Sequence, residues 1–228
     1  WDFENGVGNT IASLDSNHFG YLWSRAPGFF DVVHYNNSTA PVNLAHSLGV
    51  APEMIWVKAK GYTDDWAVYH KGINGGTNPE QWYMRLNQSS SDAIDQANVW
   101  NDTAPTASVF TVGSSTLTGS SGRNFVAYLF ATLAGISKVG SYTGDGTTDG
   151  SKVIDCGFTN GAKMVLIKSL SSGYGWHIID SVRGIATGSN DPYFDVNTQN
   201  AQTTNQNMLG TNSSGFTVKN SSLTNDDG

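Results

Sequence analysis

The sequence predicts an all-β protein built as two tandem antiparallel β-sandwich repeats, the second lacking its closing strand. Three observations carry that expectation. First, 93 of the 228 residues are Gly, Ser, Thr or Asn, a composition that disfavours helices through backbone entropy and side-chain competition for backbone bonds. Second, the apolar residues fall in short blocks rich in β-branched and aromatic side chains, each bounded by turn residues. Third, those blocks occur twice in the same order.

The first set begins at Gly28-Phe29-Phe30-Asp31-Val32-Val33-His34-Tyr35 and its counterpart at Gly135-Ile136-Ser137-Lys138-Val139-Gly140-Ser141-Tyr142. Met54-Ile55-Trp56-Val57-Lys58 answers to Met164-Val165-Leu166-Ile167-Lys168, 110 positions on. Its apolar run predicts a strand covered on both faces. Trp66-Ala67-Val68-Tyr69 answers to Trp176-His177-Ile178-Ile179, and Tyr83-Met84-Arg85-Leu86-Asn87 to Tyr193-Phe194-Asp195-Val196-Asn197. Ala93, Ile94 and Ala97 fall at helical spacing, so a short helix is the rival reading of Ser91 to Val99. Val109-Phe110-Thr111-Val112 answers to Gly215-Phe216-Thr217-Val218. The first set closes with Phe125 to Ala131, whereas the second stops at Asn225-Asp226-Asp227-Gly228, where the lead into such a strand belongs. The expected organisation is a lead-in over 1–26, one repeat over 27–132 and an incomplete one over 133–228. A sheet lacking a strand exposes an edge, so the natural chain is expected to run past Gly228; because its first residue is Trp1 and not Met, it is also expected to begin earlier.

The formal charge is −7, and Lys58 and Lys60, the nearest approach to a basic cluster, are followed by Asp64 and Asp65. A nucleic-acid partner is therefore not expected. The one cysteine, Cys156, excludes internal disulfides and multi-thiolate zinc, and reads as a small buried hydrophobe. No apolar run approaches a membrane span and Trp1-Asp2-Phe3-Glu4 opens no signal peptide, so membrane insertion is not expected.

Five strings carry a resemblance: Gly20 to Val33 (GYLWSRAPGFFDVV), Leu48 to Met54 (LGVAPEM), Trp100 to Thr106 (WNDTAPT), Phe125 to Ala131 (FVAYLFA) and Leu133 to Gly144 (LAGISKVGSYTG). Together they resemble a repeat-bearing family of unknown function in tail-fibre-like virion proteins of tailed bacteriophages, many of them marine. The likeness covers roughly Gly20 to Gly228. It implies several β-repeats in series, the second normally closed by an aromatic-rich strand after an Asn-x-x-Gly turn. It also implies a fibre of identical chains, a trimer favoured. The sequence departs from the pattern at Asn36 to Ala40, where a Gly-rich turn is usual, and at His34, where a small or apolar residue is.

Several groups are candidates for chemistry. His18, His34, His46, His70 and His177 show no metal-binding spacing. Thr143 to Gly150 looks like a calcium loop but lacks its closing Glu, and a Gly-rich turn explains it. Glu4, Glu53 and Glu80 offer no glycosidase pair, and no nucleophile elbow or P-loop occurs. An enzyme, a cofactor and a metal are therefore not expected. Trp66 and Trp176, at equivalent positions, are expected in a shared core. Trp82 and Trp100, with Asn87, Asn101 and Asp102 nearby in sequence, are the candidate glycan-binding residues, because an exposed ring stacks on a sugar face while amides and carboxylates bind its hydroxyls. The expected function is a virion structural protein in a tail fibre or host-contact appendage, assembled in host cytoplasm with other virion proteins and attaching to host surface polysaccharide. The alternative is a purely structural tail or capsid decoration that contacts only other virion proteins.

Overall fold

A computed structural model describes residues 21–226 apart from 38, 90–92, 172, 186–189 and 221. The described chain is all-β with several antiparallel sheets. Its first half holds β1 (Phe30–Asn37), β2 (Val42–Ala45), β3 (Met54–Ala59), β4 (Ala67–His70), β5 (Trp82–Arg85), β6 (Ile94–Asp95), β7 (Val109–Val112) and β8 (Arg123–Phe130). Six of these form one sheet in the order β1-β8-β3-β4-β5-β6, and β2 pairs with β7 in a second. The last strand is thus inserted between the first and the third. Phe130 pairs with Phe30 on one side and Met54 on the other.

Side chains alternate across this sheet as strand geometry requires. Ile55, Val57 and Ala59 of β3 point inward, and join Tyr35, Tyr69, Tyr83, Phe110, Phe125 and Leu129 in a core closed by β2 and β7. The opposite face is not left to solvent. Met54 and Trp56 of β3 pack there with Phe30, Phe130 and Val139. The expected double coverage of this strand therefore holds, although its second face is half-buried rather than sealed. Ser91 to Val99 contains no helix among its described residues. Ile94–Asp95 instead pairs with Trp82 and Tyr83, because the open edge of β5 offers a ladder that a single helical turn would not replace.

The second half holds β9 (Val153–Asp155), β10 (Met164–Lys168), β11 (Trp176–Asp180), β12 (Tyr193–Asp195), β13 (Leu209–Asn212) and β14 (Gly215–Val218). They form two three-stranded sheets, β10-β11-β12 and β13-β14-β9. Their facing sides enclose Val165, Ile167, Ile179, Tyr193, Met208, Leu209 and Val218. Half-buried Cys156 packs against this core, and burial raises its thiol pKa.

Local contacts recur between the halves. The turn in which Phe29 and Phe30 donate to the Ala26 carbonyl reappears where Ile136 and Ser137 donate to that of Leu133. Asn87 Oδ1 accepts the Trp66 N–H and Asn197 Oδ1 that of Trp176, both at 2.9 Å. Tyr35 Oη donates to the Thr118 carbonyl at 2.7 Å and Tyr142 Oη to that of Thr224 at 2.5 Å. Lys138 to Tyr142, the counterpart of β1, nevertheless forms no strand. A strand without a partner leaves its backbone groups unladdered, and the described second half contains no counterpart of β8.

The halves meet through the outer face of the six-stranded sheet. Trp176 is 3% exposed, packed among Val68, Ile73, Met84 and Leu86 with Leu166 alongside. Its Nε1 donates to the Arg85 carbonyl at 2.9 Å. Trp66 belongs to the same cluster and lies over the Tyr128 ring at 6.2 Å. The two tryptophans therefore serve the contact between the halves rather than a core inside each. Part of the lead-in is also built into the structure. Tyr21 Oη donates to Asp180 Oδ2 at 2.7 Å, and Trp23 packs on Phe30 and Phe130.

Candidate functional site

Beside β11 and β12 lies an open cavity of about 540 Å³, lined by residues of those strands, by Gly173 to Gly175, Gln206, Asn220 and Leu223, and by Ser89 of the first half. Its floor comes from strand register. His177 of β11 and Asp195 of β12 are directly paired residues, so their side chains share the inner face. His177 Nδ1 lies 2.7 Å from Asp195 Oδ1. The imidazole meets the Tyr193 ring edge-on, centroids 5.1 Å apart. Burial holds the His177 pKa below the usual histidine value, and Asp195 opposes that shift without cancelling it. The ring is thus neutral near pH 7. With Nδ1–H donated to the carboxylate, Nε2 carries the lone pair. That Nε2 is buried and has no hydrogen-bond partner. In the first half the same paired positions hold Ala67 and Arg85, and the arginine turns to Asp65, 3.3 Å away. The paired His and Asp are therefore a feature of the second half and have no equivalent at the matching positions of the first.

The walls are polar. Asn197 is locked by its bond to the Trp176 N–H. A side chain at Gly175 would meet Asn197 Oδ1 at 2.1 Å, which is why only glycine fits beside it. Gln206 and Asn220 are tied together, Nδ2 of the second donating to Oε1 of the first at 3.2 Å. The Gln206 carbonyl accepts the Asp191 N–H at 2.7 Å. Asp191 is itself fully buried, its Oδ2 accepting the N–H groups of Met208 and Leu209 at 2.7 and 2.9 Å. At the mouth Tyr174 is 39% exposed. Fixed amide and carboxylate groups beside an accessible aromatic ring can take a small polar ligand with an apolar face. A His–Asp pair also forms two parts of a hydrolytic triad. Among the described residues no hydroxyl reaches Nε2, so the third part is not in place there.

The expected glycan-binding residues are not brought together in this way. Trp100 is 2% exposed; its Nε1 donates to the Trp82 carbonyl at 3.1 Å and its ring stands edge-on to Tyr69. It is a core anchor, and a ring so enclosed cannot stack on a sugar. Trp82 is half-buried against Met84 and its neighbours. Asn87 is engaged by Trp66 and by Asp65. Asn101 and Asp102 are exposed in a turn, both left-handed at φ 55° and 46°. Asn197, the counterpart of Asn87, is the one that reaches the cavity.

The other candidates resolve into structural roles where they are described. Asp145 Oδ1 accepts from Thr147 N, Thr147 Oγ1 and Asn225 Nδ2, so the loop after Thr143 is a self-satisfied turn. Glu53 is not simply exposed. It pairs with Lys71 at 2.5 Å and accepts from the Thr132 N–H at 2.9 Å. His18 and Glu4 lie outside the described residues. Among the described residues no cluster of His, Cys, Asp and Glu could hold a metal ion, and no helix is long and apolar enough to cross a membrane.

Fold and site together define an all-β protein of several antiparallel sheets with a polar cavity that Tyr174 borders. The chain belongs to the DUF7483 family, a domain of unknown function whose profile matches residues 2–228. No curated protein and no solved structure matches it.

Proposed function

We propose that this chain is a virion structural protein of a tailed bacteriophage, part of a tail fibre or host-contact appendage, and that it attaches to host surface polysaccharide through the second-half cavity. The observation that carries the reading is the placement of Tyr174 at the mouth of a cavity lined by Asp195, Asn197 and Asn220. A sugar offers an apolar C–H face to the ring and hydroxyls to the carboxylate and amides. The sequence resemblance supplies the virion setting. A low charged fraction of 14% suits a surface that meets a partner through hydrogen bonds rather than ion pairs. A trimeric fibre would present one such cavity per chain, so weak binding per site gains strength through multivalency. The alternative, a module that contacts only other virion proteins, draws its support from the unladdered edge of β10.

The test is an array of purified bacterial capsule and O-antigen polysaccharides probed with the chain and with Tyr174→Ala and Asn220→Ala. Saturable capture of one polysaccharide, weakened at least about tenfold by either substitution with unchanged circular dichroism, supports the reading; tenfold is 1.4 kcal/mol, the scale of one lost polar contact. Capture of none, or capture indifferent to both substitutions, overturns it.

A further inference from the structure

We infer that the cavity beside β11 and β12 reads an acetamido group, so that its ligand is a polysaccharide bearing neutral, N-acetylated amino sugars. This rests on the attachment reading above and follows from which hydrogen-bonding atoms the lining leaves over.

Three amides line the cavity, and the main chain fixes which way round each stands. Asn197 Oδ1 accepts the Trp176 N–H at 2.9 Å. Asn220 Oδ1 accepts the N–H groups of Ser222 and Leu223 at 3.0 and 2.9 Å. A main-chain N–H bonds to the oxygen of an amide and not to its NH2, so the nitrogen of each is assigned. Asn220 Nδ2 donates to Gln206 Oε1 at 3.2 Å, which assigns the third amide in turn. All three oxygens are thus engaged within the protein. Among the described residues Asn197 Nδ2 and Gln206 Nε2 meet no acceptor, and Asn220 Nδ2 spends one of its two N–H groups. Neither of the first two nitrogens is sealed from solvent, so a ligand can reach them.

The acceptor side is a single carboxylate. Asp195 Oδ1 is engaged by His177 Nδ1 at 2.7 Å, which leaves Oδ2. Among the described lining residues no other carboxylate occurs, and no lysine or arginine. Amide donors beside one carboxylate are the complement of a secondary amide, whose carbonyl takes an N–H and whose own N–H goes to the carboxylate. The acetyl methyl is apolar and suits the Tyr174 ring at the mouth. An acidic sugar would bring a second carboxylate to Asp195 with no cation to offset it. A free amino sugar would satisfy Asp195, but its ammonium has no acceptor atom for the amide donors.

The experiment uses the whole chain and the polysaccharide it captures in three forms: native, de-N-acetylated, and re-N-acetylated with acetic anhydride. Capture should fall at least about tenfold on de-N-acetylation and return on re-N-acetylation, because fixed polar groups left unpaired discriminate strongly. Free N-acetylglucosamine or N-acetylgalactosamine should compete, whereas glucose, galactose and glucuronic acid at equal concentration should not. Gln206→Glu and Asn197→Asp keep the oxygen that the protein uses and replace the open NH2 by oxygen. Both should retain the wild-type circular dichroism and lose the preference for the acetylated form. Capture of a polysaccharide without acetamido groups, equal or tighter capture of the de-N-acetylated form, competition by glucuronic acid, or an acetyl preference unaltered in both variants would each overturn this inference. If such capture still depends on Tyr174, the attachment reading stands. Capture of no polysaccharide at all overturns both.

Discussion

His177 and Asp195 face each other across β11 and β12 with Nδ1 and Oδ1 2.7 Å apart, and the far nitrogen of that imidazole is buried with no hydrogen-bond partner. A neutral histidine in this state leaves a buried acceptor without a partner. It is also a titration liability, because taking a second proton would place an unpaired N–H in the same spot.

Stability should therefore fall in mild acid. Burial depresses the pKa of His177, and that of His70 to about 4. Folded pKa values below the unfolded value, roughly 6.5, mean that the unfolded chain takes up protons first. The stabilisation is complete above about pH 6.5, shrinks as pH falls, and for His70 is gone below about pH 4. Carboxylates such as Asp31, Glu53 and Asp180, whose folded pKa values are lowered, add their loss only in stronger acid. Thermal melts from pH 7.5 to 4 should decline, and His70→Gln with His177→Gln should flatten the decline. An unchanged slope in the double variant would contradict this.

Trp176 couples the two halves. Trp176→Ala should cost about 3–5 kcal/mol, the range for truncating a large buried aromatic. Chemical denaturation should then separate into two transitions as the contact with Val68, Met84 and Leu86 is lost. A single transition of wild-type midpoint would show that this contact contributes little.

The two tyrosine anchors should behave alike. Tyr35→Phe and Tyr142→Phe each strip the donor from a carbonyl, at Thr118 and Thr224, and each should cost about 1–3 kcal/mol. Urea melts of the two variants measure this directly. A neutral Tyr142→Phe would mean that the Lys138 to Tyr142 segment is not held at that point.

Tryptophan and tyrosine should divide stability from binding. Trp100→Ala should destabilise by about 3–5 kcal/mol and leave glycan capture unchanged at temperatures where the variant is folded. Tyr174→Ala, at an exposed position, should do the reverse. Paired melts and array measurements decide between this division and the opposite one.

Strands were legible in the sequence because a pleated strand writes its period into adjacent residues. Met54 to Val57 and Phe125 to Ala131 announce themselves by apolar runs and flanking turns. Ile94 did not, since Ala93, Ile94 and Ala97 match a helical spacing and the edge of β5 that draws Ile94 into a ladder is remote in sequence. The equivalence of Trp66 and Trp176 was visible, but a shared position reports burial and not the surface it is buried against. Trp100 reads as available because its neighbours Asn101 and Asp102 are polar, but its ring is enclosed against Tyr69 and its Nε1 is bound to the Trp82 carbonyl, partners remote in sequence. His177 and Asp195 lie 18 residues apart, a spacing without meaning until the register of β11 and β12 is known. The duplicated pattern held the one usable hint: Ala67 and Arg85 stand where the second half has His177 and Asp195, a polar pair replacing a core alanine.

The most direct test of attachment through the cavity is an NMR titration of the histidine-labelled chain with oligosaccharides cut from the polysaccharide that the array selects. The expected result is a saturable shift of the His177 imidazole, which lines the cavity, with His34, exposed on β1, unmoved. A His177 resonance that stays fixed while the sugar binds would place binding elsewhere and contradict the cavity as the attachment site.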